Sequence, residues 1–380
     1  MRDRLLHLAD LHLGDGHDYL GPSAPARRSE ADLLLRRLVD FALAEENQIA
    51  AVAIAGDLFD HHHPPHALVE SALADLARVV AAGLHLITVP GNHDEWSYAD
   101  CVYRTYVNRW PGLLVTQPNP GPVASWRIGG AEIEVHALAY VAGRTRLPLD
   151  TSEIRPSGLR RILIAHGSLD VDWTDRSVPI RSAALIEAGY DYVALGHIHQ
   201  AIERRIGDGW ACYPGRIEGG GFDDPGVDGV LTVKLTEPAL RPERRPFSHR
   251  PILDQRWNLS GHSDLGELRG RLHRFAEEQS GAIARIELAG LPDFDLEPTR
   301  LQEEVRGGFF HLELVDGRGG FGNASLETVA QETTIRGAFA RRALRAIEET
   351  SDEEERALRR AAARFGLDAF ERSQPVGDEA

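Results

Sequence analysis

The nine residues Leu86–Asp94, with the sequence LITVPGNHD, indicate how the chain is organised. Three of the first four residues are apolar, and a Pro-Gly pair then ends the run abruptly. A short apolar run bounded by Pro and Gly is typical of a buried β-strand rather than a helix. Asn92, His93 and Asp94 follow at once, so an amide, an imidazole and a carboxylate stand at the carboxyl end of this strand. Open α/β sheets bind their ligands at that end.

Four other apolar runs end in the same way. They are Leu5–Ala9 before Asp10 and His12, Ala51–Ala55 before Asp57 and Asp60, Arg161–Ala165 before His166, and Tyr192–Leu195 before His197 and His199. Because strands of this kind bring their carboxyl ends to one edge of a sheet, we expect the Asp, Asn and His side chains to converge. The five runs together predict one metal site.

Mixed oxygen and imidazole donors predict the kind of metal centre. They suit Mn²⁺, Fe²⁺ or Zn²⁺, and the lack of a nearby cysteine argues against a structural zinc site. Two cations about 3.5–4 Å apart require a shared carboxylate, and we predict that Asp57 is this bridge. The other predicted ligands form two sets, one of Asp10, His12 and His199 and one of Asn92, His166 and His197.

The spacing within two of the motifs supports this assignment. Residues i and i+2 of an extended chain project to the same side. Both histidines of the pair His197 and His199 can therefore reach a dinuclear centre, and we expect Asp10 and His12 to share that geometry.

His93 and Asp94 are the predicted catalytic residues. His93 adjoins the predicted ligand Asn92, so it is placed to donate a hydrogen bond or a proton to a departing oxygen. Asp94 is expected to orient His93 through its other ring nitrogen, with a loop-capping role as the alternative. The triple histidine His61–His63 cannot converge on one point, which favours a solvated loop at the cleft edge over a metal site.

Composition limits the possible classes of protein. A chain of 380 residues predicts two domains, or one domain with appendages. The net charge of −16 argues against a generally basic nucleic-acid binder, although bound cations and local arginine clusters can reverse the sign in a cleft. Cys101 and Cys212 lie far apart and suggest no disulfide framework, so we expect a cytoplasmic protein. No apolar run has the length of a membrane span, and we expect no membrane association.

The order of the segments predicts an α/β fold in three parts. Strands and helices alternate over residues 1–240, with helices expected at 27–46 and 66–82 and the last strand at 229–235. Residues 238–251 have the Pro- and Arg-rich composition of a linker. A smaller α/β unit is predicted over 252–316, a glycine-rich joint over 317–322 and a helical tail over 325–370.

The five motifs resemble the signature of the calcineurin-like metallophosphoesterases. That signature is D-x-H, GD-x-x-D, GNH[DE], an isolated His and GH-x-H, and all of it is present within residues 1–235. The residues within and around these motifs are more similar still to those of the Mre11/SbcD nuclease family. The similar segments are LADLHLG at 8–14, GDLFD at 56–60 and YPG at 213–215. The chain is most similar to the shorter bacterial exonucleases of that family, the YhaO type.

The resemblance implies a fold and an activity. The fold is a metallophosphoesterase β-sandwich flanked by helices, with a small α/β capping domain and a helical C-terminal tail. The implied activity is phosphodiester hydrolysis on DNA with two divalent metal ions, Mn²⁺ foremost and Fe²⁺, Zn²⁺ or Mg²⁺ as alternatives. It also implies a nuclease, either a 3′→5′ exonuclease or an endonuclease, that acts in double-strand-break repair or end processing, and a homodimer. Archaeal and eukaryotic members carry a second catalytic histidine where this chain has Asp60.

The tail predicts a partner. Ile335, Phe339, Ala343 and Ile347 recur at four-residue steps, and such an amphipathic helix must bury its apolar face. The resemblance implies docking to a coiled-coil ATPase of the Rad50/SbcC type, and the alternatives are folding back onto the cap or pairing with the final helix of the chain. Two other functions remain: a small-molecule phosphodiesterase or phosphatase on the same scaffold, and a non-catalytic scaffold that docks an ATPase.

Overall fold

The computed structural model describes residues 1–142, 148–154, 158–171, 176–260, 262, 264–290, 292, 294, 296–317 and 326–372. The chain forms two compact units, Met1–His249 and Arg250–Ala380. Among the described residues, no helix has both the length and the apolar character needed to cross a membrane.

The first unit contains thirteen strands and five α-helices among its described residues. The strands are β1 (Arg4–Leu8), β2 (Ile49–Ala55), β3 (His85–Val89), β4 (Leu113–Leu114), β5 (Gly121–Ile128), β6 (Ala131–Ala137), β7 (Arg160–Leu169), β8 (Val178–Ile180), β9 (Tyr192–Gly196), β10 (Ile202–Ile206), β11 (Gly209–Tyr213), β12 (Val230–Lys234) and β13 (Pro242–Arg245). The helices are α1 (Ala24–Ala31), α2 (Leu34–Leu43), α3 (His66–Ala81), α4 (Val102–Tyr106) and α5 (Ser182–Ala188).

These strands form two sheets. The first has the order β13-β12-β1-β2-β3-β4, with β1 to β4 parallel to one another. The second has the order β10-β11-β9-β7-β6-β5, and β8 pairs only with β7. Strands β6, β7 and β9 are parallel neighbours. The strands that carry the motifs are therefore parallel neighbours within each sheet.

The two sheets pack face to face, and β2 shows how its sequence permits this. All seven residues of β2, IAAVAIA, are buried. Ala51, Ala53 and Ala55 face the core between the sheets, whereas Val52 and Ile54 face the core beneath α2 and α3. Small side chains on one face let the sheets approach, and larger ones on the other fill the space under the helices. The result is a β-sandwich flanked by helices, as predicted.

Three boundaries differ from the predictions. The single helix expected over 27–46 is wrong: it is two helices, and the break lies at Asp32, whose carboxylate accepts a hydrogen bond from the Gly14 N–H at 3.0 Å. The predicted linker contains β13, which pairs with β12 at the edge of the first sheet and begins with a proline, as an edge strand tolerates. Strand β7 does not end at Ala165 but continues to Leu169, because its last residues pair with β8. His166 is therefore inside a strand.

The second unit contains a parallel sheet and a helical cluster. Its elements are β14 (Ile252–Asn258), α6 (Leu265–Glu278), β15 (Ile283–Ala289), α7 (Pro298–Val305), β16 (His311–Asp316), α8 (Leu326–Ala330), α9 (Ile335–Glu348) and α10 (Glu353–Arg372). The three strands form one sheet whose apolar core includes Leu268 and Leu272 of α6. Most of the predicted joint, residues 318–322, lies outside the described residues.

The three tail helices share a small core of their own. Phe339, Ala343 and Ile347 of α9 pack into it, and the Phe339 ring lies against Gly366 of α10, where any side chain would collide with it. Ile335 is exposed. The apolar stripe of α9 is thus largely covered by α8 and α10, and pairing with the final helix was one of the two alternatives to docking.

Candidate metal centre

Strand ends from both sheets meet at one place. In the first sheet, the residues after β1, β2 and β3 are neighbours because these strands are parallel and adjacent. In the second, His166 of β7 is directly paired with Gly196 at the end of β9. The two sheets are joined there by the His197 N–H, which donates to the Asp10 carboxylate at 3.0 and 3.2 Å. All seven predicted ligands lie at this junction.

We call Asp10, His12 and His199 the first cluster. Their donor atoms all lie within 4.8 Å of one another, and the Nε2 atoms of His12 and His199 are 3.1 Å apart. Nδ1 of His12 is bonded to Asp60 at 3.0 Å, and Nδ1 of His199 to Asp224 at 2.8 Å. A carboxylate can only accept, so each Nδ1 carries the proton and each Nε2 presents a lone pair in the neutral ring. Two facing lone pairs suit a cation between them.

We call Asn92, His166 and His197 the second cluster. Asn92 Oδ1 lies 2.9 Å from Nε2 of His166 and 2.8 Å from Nδ1 of His197. Nδ1 of His166 donates to the backbone carbonyl of Ala55 at 2.9 Å, so its Nε2 also presents a lone pair in the neutral ring. The amide oxygen and the imidazole lone pair point to the same place, so this donor set is also suited to coordinate a cation.

Asp57 lies between the two clusters. Its Oδ2 is 3.3 Å from Nε2 of His166 and 3.9 Å from Nε2 of His12. Burial by itself raises the pKa of the Asp57 carboxyl, but His166 holds it well below its ordinary value. For His166 the directions are reversed. Burial lowers the pKa of its imidazole, but the nearby Asp57 carboxylate outweighs burial and raises that pKa to about 9. In the metal-free protein a proton on His166 therefore supplies part of the positive charge that a cation would bring.

The backbone is strained at four of the predicted ligands. Asp10, His12, Asp57 and His197 have positive φ angles of 55°, 44°, 51° and 103°. Residues with a Cβ rarely adopt such angles, and they concentrate where function requires them. The expectation that Asp10 and His12, or His197 and His199, converge through an extended chain is therefore wrong. Left-handed turns at the strand ends direct these side chains inward.

Two motif glycines permit the close approach of the strand ends. A side chain at Gly91 would overlap the Asp57 carboxylate, and one at Gly56 would overlap the His166 ring. The glycines that precede Asn92 and Asp57 are thus required by packing at the centre.

His93 lies at the rim of the centre. Its side chain is 41% exposed, and its ring stands edge-on to that of His12 with the centroids 4.7 Å apart. The backbone N–H of His93 donates to Asp57 Oδ1 at 2.9 Å, and its ring Nδ1–H donates to the backbone carbonyl of Asp60 at 3.0 Å. This leaves Nε2 as the ring atom that can exchange a proton with a substrate.

Asp94 does not orient His93, which corrects the role predicted for it. Its carboxylate accepts hydrogen bonds from the N–H groups of Gly91 and Phe59 at 2.8 and 3.1 Å and from the Tyr103 hydroxyl at 2.7 Å. Asp94 is fully buried, and burial together with the nearby Asp57 raises its pKa to about 6. It ties the PGNHD loop to the loop after β2, which is the capping alternative.

The three consecutive histidines diverge, as expected for a solvated loop. His61 lies 3.3 Å from Asp60 with 74% of its side chain exposed, the His62 ring stacks on Tyr98, and His63 contacts the carbonyl of Asp100.

Sequence reasoning missed Asp224, the carboxylate that contacts Nδ1 of His199. A contact between residues 25 positions apart in two loops leaves no periodic signal in the sequence.

Known proteins are similar to half or more of this chain. The model of the calcineurin-like phosphoesterase family matches residues 3–201, slightly more than half of the chain. DNA double-strand break repair protein Mre11 of Haloferax volcanii is 27% identical over 76% of this chain and 61% of its own length. The uncharacterized metallophosphoesterase YhaO of Bacillus subtilis is 25% identical over 61% of this chain and 57% of its own length.

Other Mre11 proteins match a smaller part of their length, such as that of Sulfurisphaera tokodaii at 25% identity over 52% of this chain and 49% of its own. The chain therefore spans about half to three fifths of the curated relatives that it matches. A solved archaeal phosphodiesterase covers 64% of this chain at 14% identity, with 99% of its own length matched and a TM-score of 0.32. Since the family match covers more than half of the chain, including the five motifs, strands β1 to β9 and all seven predicted ligands, the chain belongs to the calcineurin-like phosphoesterase family.

Proposed function

We propose that this protein hydrolyses phosphodiester bonds in DNA, as an exonuclease of the Mre11/SbcD type. The observation that carries the proposal is the pair of donor clusters that share Asp57 beneath the exposed ring of His93. We assign the first cation to Asp10, His12, His199 and Asp57, and the second to Asn92, His166, His197 and Asp57. Two divalent cations, Mn²⁺ by the family resemblance, would supply Lewis acidity that activates water and neutralises phosphate oxygens.

The protein's own residues would perform three tasks. The first is to hold the centre rigid, through the buried carboxylate of Asp57 and the strand-borne His166. The second is proton transfer: with Nδ1 of His93 bonded to a carbonyl, Nε2 can donate a proton to the departing oxygen. The third is anion binding. Arg176, with 68% of its side chain exposed, donates to the Asn92 carbonyl at 3.2 Å and lies 3.7 Å from the Glu95 carboxylate, contacts that hold its guanidinium beside the centre.

DNA as the substrate is supported by the names of the relatives, several of which are DNA double-strand break repair proteins. As part of the same proposal, digestion runs 3′→5′, the protein is a cytoplasmic homodimer, residues 252–316 act as a cap, and the tail at 325–370 docks a Rad50/SbcC-type ATPase. Because the apolar stripe of α9 is covered, such an ATPase would bind the outer surface of helices α8, α9 and α10. Ile335 and Leu358 are exposed on these helices.

One assay separates this proposal from its alternatives. The full chain with Mn²⁺ is incubated with 5′-labelled linear duplex DNA, with a covalently closed circle and with bis-p-nitrophenyl phosphate, beside the His93→Gln variant and an EDTA control. We expect shortening of the linear DNA from its 3′ ends and hydrolysis of the small diester. Hydrolysis of the small diester alone would indicate a small-molecule phosphodiesterase. Activity on neither substrate with Mn²⁺, Fe²⁺, Zn²⁺ or Mg²⁺ would indicate a non-catalytic scaffold.

A further inference from the structure

The YPG turn and the loop after it are joined to the backbone of His199. The Arg216 N–H donates to the His199 carbonyl at 2.9 Å, and the Val227 N–H donates to the Arg216 carbonyl at 2.9 Å. Gly215 has a φ of 80°, and a side chain there would overlap the His199 carbonyl and Val227. The turn therefore serves to bring the loop 223–227 against the back of His199.

Asp224 is the residue that this loop delivers. Its Oδ2 lies 2.8 Å from Nδ1 of His199 and 3.4 Å from a guanidinium nitrogen of Arg216. Arg216 is 6% exposed and is held in turn by the Glu218 carbonyl, at 2.9 Å from Nε, and by the carboxylate of Asp15. The carboxylate of Asp224 is thus fixed on one side by a buried arginine and offers its oxygen to the imidazole on the other.

This contact decides which nitrogen of His199 faces the centre. With Nδ1–H donated to Asp224, Nε2 is the unprotonated atom, and it points at Nε2 of His12 across 3.1 Å. Without the carboxylate, a neutral imidazole can place its proton on either nitrogen. The proton on Nε2 would block that atom as a ligand. A carboxylate behind a metal-binding histidine fixes both its tautomer and its ring orientation.

We propose that Asp224, held by Arg216, is the positioning residue for His199, and that it specifically supports binding of the cation at the first cluster. The proposal rests on the two-cation centre of the proposed function and deepens it. The second cluster provides the contrast, because Nδ1 of His166 is bonded to a backbone carbonyl that lies on another strand. Loss of Asp224 therefore weakens one of two binding steps and leaves the other unchanged.

The test uses the full chain, Mn²⁺ alone as the probe, and three variants. Asp224→Ala removes the contact, Asp224→Glu keeps a carboxylate, and Asp223→Ala changes the exposed neighbouring aspartate as a matched control. Isothermal titration of Asp224→Ala should show one of two Mn²⁺ sites weakened roughly 10–100-fold, the range for losing such a partner. Asp223→Ala should match the wild type, and Asp224→Glu should recover part of the loss.

A second readout does not depend on metal. In ¹⁵N-histidine NMR of the metal-free protein, the His199 signal, assigned through its loss in His199→Gln, should report a proton on Nδ1 in the wild type and a shift towards Nε2–H in Asp224→Ala. An unchanged tautomer, or two Mn²⁺ sites weakened equally, would overturn the inference. A wild type that binds no Mn²⁺ would overturn both this inference and the proposed function. Two Mn²⁺ with the expected Asp224 effect but no DNA cleavage would overturn only the DNA assignment.

Discussion

The two clusters hold their imidazoles by different means. In the first cluster, His12 and His199 are bonded through Nδ1 to the side-chain carboxylates of Asp60 and Asp224, which come from loops. In the second, His166 is bonded through Nδ1 to the backbone carbonyl of Ala55 in the neighbouring sheet. His199 is one-third exposed, whereas His166 is fully buried.

The difference shows which half of the centre can be tuned. A loop carboxylate can be removed by one substitution, and the carboxylate affects the basicity of the imidazole that it contacts. Burial lowers the pKa of His199, but the Asp224 carboxylate outweighs burial and raises that pKa. A strand carbonyl is set by the packing of two sheets and cannot be removed by changing a side chain. We therefore expect substitutions in the loops to change the metal affinity of the first cluster. The metal affinity of the second cluster should stay constant as long as the sandwich is folded.

Asp57→Asn should have the largest effect, because Asp57 lies between the clusters and cannot be assigned to either alone. A neutral amide bridges two cations poorly, so we expect most of the activity and bound metal to be lost. Elemental analysis and turnover of bis-p-nitrophenyl phosphate are the measurements. Two tightly held metals with normal turnover in this variant would end the bridging assignment.

His93→Gln should lower turnover and leave both clusters loaded. We expect a loss of roughly 10²–10⁴-fold, the range for a general acid, with metal content near that of the wild type. The loss should be smaller for p-nitrophenolate as the leaving group than for a DNA 3′-oxygen, because a good leaving group needs little protonation. An equal loss on both substrates would assign His93 another task.

Asp94→Asn is the matched control for His93, since the structure gives Asp94 no contact with the His93 ring. It should lower the free energy of unfolding by about 1–3 kcal/mol, because a buried hydrogen-bond network loses an acceptor. A loss of turnover without a loss of stability would restore the orienting role that the sequence predicted.

The buried cluster should impose a pH dependence on the metal-free protein. The pKa of His166 is about 9 in the folded chain and 6.5 ordinarily, so its contribution to stability is complete below pH 6.5 and is lost as the pH rises through 9. In EDTA, urea unfolding should show a decrease on the order of 3 kcal/mol between those pH values. His166→Gln should remove this slope. A wild-type curve that is flat over the same range would contradict the charged pairing of His166 with Asp57.

Truncation after Gly322 should have the smallest effect on either cluster. The tail helices have their own core, separate from the cores of the sandwich. We expect two bound metals and unchanged cleavage of short DNA, together with loss of co-purification with a Rad50/SbcC-type ATPase from the same organism. Truncated protein that unfolds or loses its metals would show that the tail belongs to the catalytic core.

The apolar runs determined the sandwich and the place of the site. Each run long enough for a strand and closed by Pro, Gly, Asp or His was found as a strand or part of one, because burial on both faces favours a largely apolar sequence. The same pattern located the seven candidate ligands, since polar side chains directly after a buried strand have one edge of the sheet to occupy. Helix boundaries were less well predicted, as the break at Asp32 depends on a bond to Gly14 that sequence does not reveal.

The tertiary structure alone decided how those side chains are held. Left-handed angles at Asp10, His12, Asp57 and His197 replaced the extended geometry expected from i, i+2 spacing, because convergence of two sheets fixes the backbone more strongly than local preference does. The roles of Asp94 and Asp224 followed from contacts with residues 35 and 25 positions away, Phe59 and His199. Sequence periodicity reports which face of an element is buried; the partner of a polar atom depends on how the elements pack, and that is settled only in three dimensions.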